Sequence, residues 1–103
     1  MSELERTSVL LGFQRALLGN VPPSLRGLTA EWDAVSIRGI AYFDGPVSQV
    51  DQDCIGDIEA EVLADLAPGR TIRLEVQRLD APGRMPCLKV WVYRRREHFR
   101  EAP

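Results

Sequence analysis

Residues 44–69, DGPVSQVDQDCIGDIEAEVLADLAPG, decide the fold. Within them Val47, Val50, Cys54, Ile58 and Val62 step by three or four positions, flanked by Ile55 and Leu66, which is the spacing of one helix face. Asp44-Gly45-Pro46 stops whatever precedes it, and Ser48 is placed to cap the helix, with Asp51 three residues on. Pro68-Gly69 closes it after about five turns. The acids fall on the other faces and form a solvated ridge. A strongly amphipathic helix here, between segments of two-residue period, makes the chain a mixture of helix and sheet.

Upstream, Ser2 to Gly19 reads as a second helix. Leu10, Phe13 and Leu17 recur at helical spacing, and Val9, Ala16 and Leu18 widen the stripe. Ser2 with Glu5 has the form of a capping box, and Glu3 suits the positive end of the helix dipole. Gly19-Asn20 offers a left-handed terminus, and Pro22-Pro23 forbids continuation. Next, Leu28, Ala30 and Trp32 alternate with Thr29 and Glu31. After a turn at Asp33-Ala34 that lacks glycine, the alternation resumes from Val35 to Phe43, predicting an antiparallel hairpin.

Downstream of the central helix, Ile72, Leu74 and Val76 predict a third strand. A loop runs from Asp80 to about Pro86, and Leu88, Val90 and Val92 predict a fourth strand. The order α-β-β-α-β-β predicts an α+β fold, a two-layer α/β sandwich with two helices on one face of a four-stranded sheet. Ile37, Ala41, Phe43, Ile72, Leu74, Val76, Leu88, Val90 and Val92 are expected to face the helices. If the second and third strands are parallel, their crossover is right-handed; periodicity leaves the strand order open.

With 103 residues and 45% hydrophobic content, the chain is expected to form a single domain over 1–103, with a polar tail from about 96 to 103 and fraying over the last ten residues, Arg94 to Pro103. No apolar run approaches the roughly 18 residues of a membrane span, and no signal-like core follows Met1, so a soluble cytoplasmic protein is expected. Cys54 and Cys87 are too few and too far apart for a disulfide scaffold or a metal knuckle. Asp51-Gln52-Asp53 begins like a calcium loop, but Ile55 and Val62 stand where ligands are needed. The one histidine, His98, lies in the polar tail without a nucleophile at triad spacing, and no glycine-rich phosphate loop occurs. The expectation is no enzyme, no metal and no cofactor.

Charge distribution says more than the net value of −2. From Asp44 to Gly69 there are seven acids and no Lys or Arg, while the remainder carries 13 bases against 8 acids. The central helix therefore presents Asp51, Asp53, Asp57, Glu59, Glu61 and Asp65 as a candidate docking surface for a basic protein. The alternative candidate is the sheet face away from the helices. There Trp91, Tyr93, Lys89 and Arg95 are expected beside Tyr42, Ile40, Arg38, Arg73 and Glu75, a set that suits a protein partner, a homodimer or RNA. The acidic ridge disfavours nucleic acid.

Several stretches carry a family resemblance: Arg15-Ala16-Leu17-Leu18-Gly19-Asn20-Val21-Pro22-Pro23-Ser24-Leu25-Arg26, Tyr42-Phe43-Asp44-Gly45, Glu61-Val62-Leu63-Ala64-Asp65, Arg78-Leu79-Asp80 and Trp91-Val92-Tyr93-Arg94-Arg95. Together they resemble small bacterial proteins of toxin–immunity loci, including immunity proteins of contact-dependent growth inhibition. The resemblance spans roughly residues 13–96, and its motifs are helix ends, turns and strand cores. It implies a non-enzymatic cytoplasmic factor that binds and neutralises a cognate toxin, commonly a nuclease. It names no catalytic or binding residue.

Overall fold

The computed structural model describes residues 3–97. They form α1 (Glu3–Leu17), β1 (Leu25–Trp32), β2 (Ser36–Phe43), α2 (Gln49–Ala64), β3 (Thr71–Arg78) and β4 (Val90–Arg94). The order α-β-β-α-β-β and the α+β class are those the periodicity predicts. The Ser2 capping box, the side chain of Glu3 and the tail beyond Glu97, including His98, lie outside the described residues.

The α1 helix buries Val9, Phe13, Ala16 and Leu17. Gly19 takes a φ of +76°, where a side chain would be strained, and the Asn20 N–H donates to the Leu17 carbonyl at 3.0 Å. Leu18, expected to widen the stripe, is instead 77% exposed. In α2, Ser48 is the N-cap, its Oγ accepting the Asp51 N–H at 3.1 Å. The buried stripe is Ile55, Ile58 and Val62. Val50, expected on it, points to solvent, because four residues before Ile55 the stripe reaches Asp51 rather than Val50.

The strands are ordered β3-β2-β1-β4. β1 pairs antiparallel with both β2 and β4, and β2 pairs parallel with β3 through the crossover that contains α2. The hairpin between β1 and β2 dispenses with glycine because Asp33 Oδ1 accepts the N–H groups of Val35 (2.7 Å) and Ser36 (2.8 Å). Those two donors hold the Asp33 carboxyl below the usual carboxylate range.

Both helices pack on one sheet face, against Leu28, Ala30, Trp32, Ile37, Ala41, Phe43 and Leu74, with Ile72, Val76, Val90 and Val92 partly buried beside them. Each fully buried aliphatic side chain of this set contributes about 1.5–3 kcal/mol. Gly39 sits where a Cβ would come within 2.6 Å of Leu74 Cδ2 and 3.0 Å of the Thr29 carbonyl oxygen, so this crossing of strands admits no side chain.

Two features of the sheet depart from the sequence expectation. First, β3 and β4 occupy opposite edges, so residues 79–89 cross the face opposite the helices. The Tyr42 hydroxyl donates to the Pro86 carbonyl (2.9 Å), and the Leu88 N–H donates to Thr29 Oγ1 (2.8 Å), which itself donates to the Val90 carbonyl (2.7 Å). Leu88, expected in the last strand facing the helices, belongs to this crossing instead. Second, a bulge interrupts the β1–β4 pairing: Thr29 stands opposite Trp91 but Leu28 opposite Tyr93. The extra residue reverses the alternation. Tyr93 therefore packs against the core on the helix side, while Trp91 stays on the other face.

Candidate functional site

The six acids of the central helix divide into two sets. Asp51 accepts the Ser24 hydroxyl (3.1 Å), Glu59 accepts the backbone N–H of Leu74 (2.7 Å), and Asp65, just past the end of α2, pairs with Arg15 (2.9 Å). Glu59 thereby caps the edge of β3, which blunts that strand against pairing with another chain. These three carboxylates are occupied by the fold. Asp53, Asp57 and Glu61, each four residues apart, stand exposed on the outer side of the helix. Asp53 accepts only the Gln49 side-chain amide (2.8 Å), and Asp57 and Glu61 have neither hydrogen bond nor ion pair among the described residues.

Neighbouring like charges at this spacing lie about 5–6 Å apart and each pair costs a few tenths of a kcal/mol in helix stability. The fold thus carries an uncompensated negative stripe at a small cost. Beside it the surface is open: a Cβ on Gly56 would meet nothing within 4 Å, and Val50 is 76% exposed. Cys54, on the inner flank, donates its S–H to the Asn20 carbonyl (2.9 Å). Burial pushes its thiol up, and Asp57 and Asp51 add to the effect, so it is a packing thiol rather than a nucleophile. Among the described residues no group of three His, Cys, Asp or Glu side chains can hold a metal ion.

The residues expected to form the alternative, aromatic–basic face are separated. Tyr42 is only 1% exposed beneath the 79–89 crossing, and burial pushes its hydroxyl up. Trp91 is half-buried with its ring centroid 6.3 Å from that of Tyr42, and Tyr93 lies on the helix side. Arg38 reaches Glu31 (3.5 Å) and Glu75 (3.6 Å) over the outer surface, and Arg73 stands exposed opposite it on β3. The crossing loop and the bulge together leave no open platform of stacked aromatics.

What replaces that platform is a groove of about 1030 Å³ between residues 82–87 and β4, lined by Arg26, Arg84, Met85, Trp91, Arg94, Arg95 and Glu97 among others. Its inner end is a built charge network. Arg26, 2% exposed, makes a two-pronged contact with Glu97 (2.7 and 2.8 Å) and donates to the Leu79 carbonyl (2.6 Å). Arg95 bridges Glu97 and Asp44, each at 3.0 Å. The Arg26 hydrogen bond, with help from Arg95, holds the Glu97 carboxyl below its usual range. Nearby, Asp80 accepts from Arg78 (3.0 Å) and from the Gly45 N–H (2.8 Å), tying the turns after β2 and β3 together.

Sequence reasoning named none of Arg26, Arg84, Arg94 and Glu97 as site residues. Their meeting depends on the strand order: only with β3 and β4 at opposite edges does the proline-bounded loop come to lie over β1. No helix among the described residues is long and apolar enough to cross a membrane. Compared with known families, residues 6–97 match the model of the MafI2 immunity protein. No curated protein matches the chain.

Proposed function

The chain belongs to the MafI2 immunity protein family, and from that premise we propose that it neutralises a cognate toxin by laying the outer face of α2 on a cationic surface of it. The observation that carries this reading is the stripe Asp53, Asp57 and Glu61, exposed within a stretch that holds no Lys or Arg from Asp44 to Gly69. A toxin that acts on nucleic acid needs a basic surface to hold phosphates, and a fixed row of carboxylates competes for that same surface. A nuclease is therefore the toxin class that fits, and the cytoplasm, where such a toxin meets nucleic acid, is the compartment in which neutralisation would take place. Delivery on contact between cells, as in contact-dependent growth inhibition, belongs to the same proposal.

Charge supplies the encounter rate, and an apolar anchor supplies residence time. Val50, exposed on the side of the helix that carries Asp53 and Asp57, is the nearest such anchor. The action is occlusion rather than chemistry, in keeping with a family of inhibitors.

The test uses the cognate toxin. Asp57→Lys with Glu61→Lys is expected to slow association by about tenfold or more and to remove most of its dependence on salt. Unchanged association rate and unchanged salt dependence would exclude α2 as the interface.

A further inference from the structure

A second charged surface lies on the opposite layer of the molecule and owes nothing to α2. In the groove between residues 82–87 and β4, the four guanidinium groups are not equivalent. Those of Arg26 and Arg95 are consumed by Glu97, Asp44 and two backbone carbonyls. Arg84 and Arg94 are exposed and join no hydrogen bond or ion pair among the described residues. Arg94 is held over the Trp91 ring, its guanidinium carbon 5.1 Å from the centroid, which leaves its planar fork of donors presented to the groove. Met85 and Trp91 give the groove an apolar floor.

We propose that this groove is a docking site for an acidic segment of a protein partner, whose carboxylates Arg84 and Arg94 would bind while its apolar atoms lie on Met85. Charge complementarity argues for the carboxylates, since a guanidinium fork matches a carboxylate with two parallel hydrogen bonds. One observation argues for a polypeptide over a single-stranded nucleic acid. Strand binders offer aromatic faces for successive bases, whereas here Arg94 covers the Trp91 ring and Tyr42 is buried. Gly27 keeps the floor in place: a Cβ there would come within 2.8 Å of the Trp91 ring and 3.3 Å of the Met85 sulfur.

The probe is a fluorescein-labelled octaglutamate peptide, titrated into the full chain and followed by anisotropy at low salt. Saturable binding is expected, weakened by about tenfold or more in Arg84→Gln with Arg94→Gln, and not weakened in Asp57→Lys with Glu61→Lys. Because neither arginine joins a hydrogen bond or ion pair among the described residues, thermal unfolding of the double glutamine variant should stay within a few degrees of the parent's, the Arg94–Trp91 contact being the one interaction lost, which separates lost binding from lost folding. Absence of saturable binding would overturn the proposal, as would equal affinity of the glutamine variant. Tighter binding of oligo-dT than of octaglutamate, lost in the same variant, would assign the groove to nucleic acid and overturn it equally. None of these results bears on α2, whose own reversal is read against the toxin.

Discussion

The two most charged regions of this molecule use charge in opposite ways. At the end of the sheet where β1 begins, Arg26, Glu97, Arg95 and Asp44 neutralise one another in a half-buried chain of contacts between 2.7 and 3.0 Å. On the outer face of α2, Asp53, Asp57 and Glu61 stand exposed with no ion pair among the described residues. The first arrangement joins three separate pieces of backbone: the start of β1, the turn after β2 and the segment after β4. The second ties α2 to no other element among the described residues. Charges consumed by the fold are paired and shielded, and those we propose for a partner are single-signed and exposed. The groove holds both kinds, with Arg26 and Arg95 spent and Arg84 and Arg94 without hydrogen bond or ion pair among the described residues.

This contrast is best broken at Arg26. Arg26→Ala takes the two-pronged partner from Glu97, leaving it Arg95 alone, removes the donor to the Leu79 carbonyl, and is expected to cost about 3 kcal/mol of stability, measured by urea unfolding. Glu97→Gln removes the charge and keeps the shape, for an expected loss of about 1.5–3 kcal/mol at neutral pH.

The same residue gives a pH signature. Arg26 and Arg95 lower the folded carboxyl below its usual range, so the unfolded chain binds that proton more readily. The stability it contributes is whole above the ordinary carboxylate range and is lost as pH falls through it towards the folded value. Glu97→Gln should therefore flatten the acid side of the stability curve. A curve that keeps its full acid slope would place the pH sensitivity elsewhere.

At the acidic face the expected pattern is inverted. Asp57→Lys with Glu61→Lys should alter stability by no more than about 0.5 kcal/mol, because neither carboxylate makes a hydrogen bond or ion pair among the described residues. Ser48→Ala lies between the two extremes. It removes the cap that starts α2 and should cost about 1 kcal/mol, a loss visible in thermal unfolding.

Periodicity reads the elements well where the physics is local. The start of α2 follows from Ser48, whereas its end comes at Ala64, a turn before Pro68-Gly69; the parallel pairing of β2 with β3 is the arrangement their helical crossover invites. The hairpin without glycine was readable as a turn but not as a mechanism, since the Asp33 carboxylate acts through its own backbone neighbours. What escaped was whatever depends on the strand order. The bulge that turns Tyr93 inward and the loop that buries Tyr42 both arise from β4 joining the far side of β1. No spacing within residues 88–95 records that choice, because strict alternation assigns Trp91 and Tyr93 to one face. The acids were legible as a ridge; which of them the fold consumes was not, since Ser24, Leu74 and Arg15 come from three other elements.

The account stands on α2 acting by contact. Its most direct test is the structure of the complex with the cognate toxin. The account predicts Asp53, Asp57 and Glu61 withdrawn from water and within ion-pair distance of toxin Lys or Arg side chains. A complex in which that side of the helix remains fully hydrated would contradict it.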